Sequence, residues 1–333
     1  VQTCALPIDT NTTNGAVITG NNFDRCQIPI VITGDNNTVT GNTMYTAVAT
    51  VGDERDSIGI SVRDGSRNVI TGNTLKGVLT ASNLACISVQ DVNGTGQLND
   101  NVIANNTINI TAGSGPAIRI VGSTNALNRN IIDGNNITCP GSDVGNGAIV
   151  LNGLSSGVNA GNKIINNQII LTAQSEGIYT TYQTSGDFRG NTIETAWNAG
   201  GATNVYAVRS FNSVGCNNQD NTLYCRTGNG TNITFYAYRE DGTASNNFLS
   251  GIINNVGGSA TYSFSVLVAN SGLTVNQLGT GVPNFHAKIG SMWRRSDGGV
   301  GSTLYIKESG TDATGWAAKR SEEHTSELQS HSF

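Results

Sequence analysis

A short motif returns nine times along this chain: an aliphatic pair, a polar step, an asparagine and another large apolar residue. It runs Val17-Ile18-Thr19-Gly20-Asn21-Asn22-Phe23, then Thr38-Val39-Thr40-Gly41-Asn42-Thr43-Met44, then Val69-Ile70-Thr71-Gly72-Asn73-Thr74-Leu75. Val102–Ile108, Ile131–Ile137, Ile164–Ile169 and Phe188–Ile193 continue it, with weaker copies at Asp220–Leu223 and Ser245–Phe248. The recurring asparagines are Asn21, Asn42, Asn73, Asn106, Asn135, Asn167, Asn191, Asn221 and Asn246, at spacings of 21 to 33 residues. A period of that size marks a stacked-repeat architecture, in which one unit cannot bury its own apolar face.

The residue types say which architecture. Asparagine and glycine tolerate left-handed backbone angles, which sharp corners between short strands require. Identical asparagines stacked one above another can also hydrogen-bond in a ladder. A second strand recurs in each cycle, as Ile58–Val62, Ile87–Val89, Ile118–Ile120, Ile149–Leu151, Ile178–Thr180, Val208–Ser210 and Tyr236–Tyr238. Its period of two marks a half-buried strand, and no helical period intervenes. The expected fold is therefore all-β, a parallel β-helix, with the right-handed sense that parallel crossovers favour. One rung buries four or five aliphatic side chains at about 1.5–3 kcal/mol each, against roughly 1.5 kcal/mol of ordering cost per residue. Stability must then come from stacking, and the open ends need caps.

Charged residues are only 12% of the chain, while glycine numbers 42 and asparagine 43. The formal net charge of −5 offers no basic stripe for nucleic acid. No apolar run reaches the roughly 18 residues that a membrane span needs. Cysteines fit no metal-binding spacing; Cys216 and Cys225 are close enough in sequence to bridge one rung, and buried thiols are the commoner outcome. Of three histidines, His324 and His331 lie in the tail and only His286 remains, which leaves histidine chemistry little material. Residues 1–8 read as the translation of one strand of a short-read sequencing adapter, and 320–333 as its complementary strand. Both segments are expected to pack against nothing, with the helix over 9–272 and a small β module over 273–319.

That module contains Gly290-Ser291-Met292-Trp293-Arg294-Arg295-Ser296-Asp297-Gly298-Gly299, then Thr303–Thr311 and Thr314-Gly315-Trp316. The run resembles a closing segment of phage tail spikes, tail fibres and related virus-encoded β-helix proteins. The rungs resemble the broader pectate-lyase-like superfamily, a likeness of architecture and not of chemistry. The resemblance implies a homotrimer in a virion tail or outside the cell, with a surface polysaccharide as partner. The rival is a secreted polysaccharide lyase or glycoside hydrolase, although the catalytic motifs of the lyases are missing; a third reading is a structural shaft or adhesin.

Written one above another, the second strands place Ser61, Ser88, Arg119, Val150, Tyr179, Arg209 and Tyr236 in one outward column, at steps of about 4.8 Å. Arg63, Arg119, Tyr179, Arg209 and Tyr236 are the candidate ligand-binding residues, since aromatic rings stack on sugars and guanidinium groups meet hydroxyls or carboxylates. The plainer account is a solvated β face on which tyrosine is a good strand former. Asp64 and Asp91 align with carboxyls about 5 Å apart, the separation of a retaining glycosidase pair, or else simply end two strands. Asp53, Glu54 and Asp56, beside Arg55, are the one candidate for Ca²⁺, more often a solvated loop; no cofactor is otherwise implied.

Overall fold

The computed structural model describes residues 2–3, 8–10, 14–24, 26, 28–45, 59–79, 85–94, 97–113, 115–123, 127–140, 147–155, 159–172, 176–195, 203–225, 233–243, 246–255, 266–268, 274–279 and 281–319. Among these there are strands and turns and no helix. Each turn of the coil passes through three strand positions, for instance Ile60–Arg63, Val69–Thr71 and Thr74–Leu79. Each strand pairs in parallel with its counterpart one turn on: Ile87–Gln90, Val102–Ala104 and Thr107–Gly113. The first positions build a ten-stranded sheet, and the other two join in a second, larger sheet. The chain is a parallel β-solenoid, as the repeat requires.

Register explains the packing. Ile18, Val39, Ile70, Ile103, Ile132, Ile164 and Phe188 form one interior column, each at most 6% exposed. Ile30, Ile60, Ile87, Ile118, Ile149, Ile178 and Val208 form a second. Phe23, Met44, Leu75, Ile108, Ile137, Ile169, Ile193 and Leu223 form the third. Like side chains thus meet like along the axis, and the lumen fills with β-branched residues that suit a pleated surface.

The repeated asparagine is the corner between the second and third strands. From Asn21 to Asn221, each Nδ2 donates to the Oδ1 of the next at 2.9–3.0 Å. The backbone N–H of each donates to that same oxygen at 3.0 Å. From Asn42 onward the other Nδ2 hydrogen reaches back to a carbonyl of the preceding rung, such as Ile70 O from Asn106. The residue before each of these asparagines, from Gly20 to Asp220, is left-handed with φ between 53° and 69°. Asn246 departs from expectation. Asn221 stands opposite Gly251, and it is Asn247 that turns inward to accept from Cys216 N–H at 2.7 Å.

A second ladder runs five residues ahead of the first. Asn37, Asn68, Asn101, Asn130 and Asn162 join at 3.0–3.2 Å and close on Gln183 Oε1 at 2.8 Å. The residue before each is again left-handed. Both corners are therefore made the same way, a polar spine that leaves its buried amides paired.

The expectation for the amino-terminal end fails, while the thiols follow the commoner outcome except at Cys26. Gln2–Thr3 pairs in parallel with Asn22–Asp24, and Ile8–Thr10 pairs with Ile30–Thr33, with Ile8 partly buried against the core. An open solenoid end presents unpaired N–H and C=O groups, which any extended segment can satisfy. Residues 320–333 lie outside the described residues. Cys216 is a buried free thiol, its Sγ directed at Gln183 O and Val214 O, so it does not bridge to Cys225. The extended Asn217–Cys225 strand carries the two apart. Cys26 is disulfide-bonded, whereas Cys86 and Cys139 are buried free thiols.

At the other end Thr274–Gly279 still joins the parallel stack, between Phe248–Asn255 and Met292–Arg295. Leu304–Lys307 and Trp316–Lys319 then add antiparallel strands. Phe285 meets Trp293 and Trp316 edge-on, each at 5.2 Å. Lys307 is fully buried; its Nζ donates to Asp312 O and Thr314 O and lies 5.8 Å from the Trp316 ring. This small sheet closes the apolar lumen with aromatic side chains and changes strand direction, which ends the repeat.

Candidate functional site

The outer side of the ten-stranded sheet carries the predicted column, and register confirms most of it. Ser61, Ser88, Arg119, Val150, Tyr179 and Arg209 are successive partners. The next is Arg239; Tyr236 stands opposite Tyr206 instead. Tyr236-Ala237-Tyr238 alternates in either phase, so the sequence alone did not reveal the offset. Neither is the column an open face: Ser61, Ser88 and Val150 are at most 4% exposed. Alternation reports which side a residue takes, not whether that side is covered.

Toward the carboxy-terminal rungs a cluster forms that the column only partly foretold. A Cβ at position 177 would strike Ile193 Cγ2 at 2.9 Å, so Gly177 faces inward together with Ile178. Ala207 and Val208 repeat the pattern one rung on, both in the core. Two consecutive inward positions bring Glu176 beside Tyr179, and Tyr206 beside Arg209, on the outer side. Arg209 then donates through Nη1 to Glu176 Oε1 and through Nε to Asp241 Oδ2, both at 2.7 Å. Arg239 Nε donates to Asp241 Oδ1 at 2.8 Å, and its Nη1 to Tyr206 Oη at 2.5 Å.

The rings complete the packing. Arg209 lies 5.4 Å from the Tyr179 centroid and 5.7 Å from that of Tyr206, and Arg239 lies 4.9 Å from Tyr206. Both distances to Arg209 fit cation–π contact. Glu176 and Tyr206 are buried, while the Arg209, Asp241 and Arg239 side chains keep 12%, 17% and 24% of their surface. Burial pushes the Tyr179 hydroxyl above its usual range. Arg209 rises above the ordinary arginine value: burial opposes its charge, and Glu176 and Asp241 more than offset that.

The other candidates sit elsewhere. Asp64 and Asp91 follow the paired residues Arg63 and Gln90, so they do occupy successive rungs. Asp64 is left-handed at φ 52°, and its carboxylate caps the next turn. Oδ1 accepts from Val92 and Asn93 N–H at 2.7 and 3.1 Å, and Oδ2 from Asn93 Nδ2 at 2.6 Å. Asp91 is 4% exposed and its carbonyl accepts from Ser123 Oγ. Arg63 and Arg119 are half-buried in the amino-terminal half of the sheet, and burial lowers the Arg119 pKa. The acidic residues Asp53, Glu54 and Asp56 lie outside the described residues. No group of three or more His, Cys, Asp or Glu among the described residues is placed to hold a metal ion. His286 is exposed on the terminal module.

Sequence reasoning missed Glu176, Tyr206, Arg239 and Asp241. The small residues Gly177 and Ala207, each just before an inward aliphatic residue, were the one sequence signal, and it bears on Glu176 and Tyr206 alone. Fold and cluster define a parallel β-solenoid with an aromatic and ion-paired patch on one wall. Comparison with protein-family models, curated proteins and solved structures finds no significant match to this chain.

Proposed function

We propose that this chain is a carbohydrate-binding solenoid of the tail-spike or tail-fibre kind, which holds a cell-surface polysaccharide in a virion tail or outside the cell. The observation that carries this reading is the half-buried cluster of Tyr179, Arg209, Arg239 and Asp241. It sets aromatic rings beside oriented donors and acceptors on a rigid wall. Sugars present apolar ring faces and rows of hydroxyls, and such a mixed patch suits both. Stacked rungs also repeat at about 4.8 Å, which lets a linear polymer lie along several of them. No helix among the described residues is long and apolar enough to cross a membrane.

The test is equilibrium binding to a polysaccharide panel. Tyr179→Ala is expected to weaken binding about tenfold, or roughly 1.4 kcal/mol, with the melting temperature little changed. Binding indifferent to Tyr179→Ala sinks the assignment to this wall. A second reading, a structural shaft, is favoured by the way Arg209 is already satisfied by Glu176 and Asp241. It predicts no glycan binding and a large loss of stability for Arg209→Ala. The appendage reading carries a homotrimer with it; light scattering that returns a monomer favours the secreted enzyme.

A further inference from the structure

The charges of the outer cluster close on one another. Two guanidinium groups, Arg209 and Arg239, face two carboxylates, Glu176 and Asp241, through contacts of 2.7–2.8 Å. Asp241 bridges both arginines, one to each carboxylate oxygen. Glu176 is 1% exposed, so a competing anion cannot reach Arg209 from that side without displacing it. The net charge of the four groups is zero.

Resting on the binding reading above, we infer that this cluster selects a charge-neutral glycan and rejects acidic ones. A uronate or sialate carboxylate entering here would have to expel Asp241 from its two arginines, stranding a buried charge, or sit beside it as a like charge. A neutral sugar does neither. Its vicinal hydroxyls donate to carboxylate oxygens and accept from guanidinium N–H without breaking the pairs, and an apolar ring face packs on Tyr179. The acidic cluster members act as a built repulsive element, and specificity comes from what they exclude as much as from what they hold.

Binding of the intact chain to neutral and uronate-bearing polysaccharides, each at low and high salt, tests this. Neutral polymers are expected to bind with affinities that change less than about twofold with salt, because no net charge is screened. Asp241→Asn removes one negative charge and is expected to admit acidic polymers, with an affinity that falls about tenfold as salt rises. Should Asp241→Asn unfold the chain, the wild-type comparison decides by itself. Wild-type preference for acidic polymers, weakened by salt, overturns the inference and leaves the binding reading standing. No binding to any polymer overturns both.

Discussion

A single buried asparagine does the work of several backbone partners. Asn106 Oδ1 accepts from both Asn73 N–H and Asn73 Nδ2, and its own Nδ2 donates to Ile70 O and to Asn135 Oδ1. Asn106→Leu is expected to strand these groups at roughly 1–3 kcal/mol for each buried donor left unpaired. Thr107→Ala, on an exposed position next to it, is expected to cost under about 0.5 kcal/mol. Chemical unfolding of the two variants checks the contrast; equal losses mean the ladder is ornamental. Glu240 is the opposite case, a buried carboxyl in line with Ser210 and Thr180, where earlier rungs place Leu151 and Ile120. Tyr238 Oη and Asn247 Nδ2 donate to its Oε1. Burial raises its pKa above the ordinary 4.5, against the pull of those bonds. A raised folded pKa means that the folded state holds the proton more tightly, so this stabilising contribution is full below pH 4.5 and lost as pH rises through the folded value. Glu240→Gln is expected to melt higher than the wild type at neutral pH and to flatten the slope. A lower melting temperature at neutral pH instead shows that the ionised form is welcome there.

At the scale of an element, the strand matters less than the column it joins. Ile103 is fully buried between Ile70 and Ile132. Ile103→Ala is expected to cost about 2–5 kcal/mol, because a packed lumen does not collapse around the missing atoms. An unchanged denaturation midpoint would remove the register on which every other column depends. The short strands were legible because apolar residues return in phase with the corner asparagines. The second ladder was equally legible, since Asn37 and Asn42, Asn68 and Asn73, and Asn101 and Asn106 keep a constant spacing of five. Its members precede the aliphatic pair, which is the more conspicuous signal. The offset at Tyr236 and Arg239 was not legible: it follows from the paired inward residues Ala207 and Val208, whose burial shows only once the rungs are stacked.

For the whole molecule, the vulnerable places are the ends, where stacking stops and backbone groups lack a partner. The aromatic cap supplies closure through Trp293, 2% exposed, whose Nε1 donates to Gly281 O at 3.0 Å. Trp293→Ala is expected to cost about 3–5 kcal/mol and to loosen the last rungs before the first. Hydrogen exchange that finds 248–255 and 274–279 as protected in the variant as in the wild type removes the capping role. The low share of charged residues fits this design: cohesion comes from hydrogen-bonded corners and an apolar lumen, and surface charge contributes little to it.

The amino-acid sequence by itself determined the architecture, because corner residues and strand periodicity are local properties that repeat, and repetition makes a weak local signal strong. It determined the first ladder and the lumen columns on the same ground, and marked a terminal module where the repetition stops. The tertiary structure alone decided which charges meet. Glu176, Arg209 and Asp241 lie 32 or 33 residues apart in successive contacts, and a phase error of a few residues in one rung moves a side chain to a different neighbour. It also decided that Asp64 caps a turn, since hydrogen bonds to Val92 and Asn93 depend on where the next rung's backbone runs and not on the identity of Asp64.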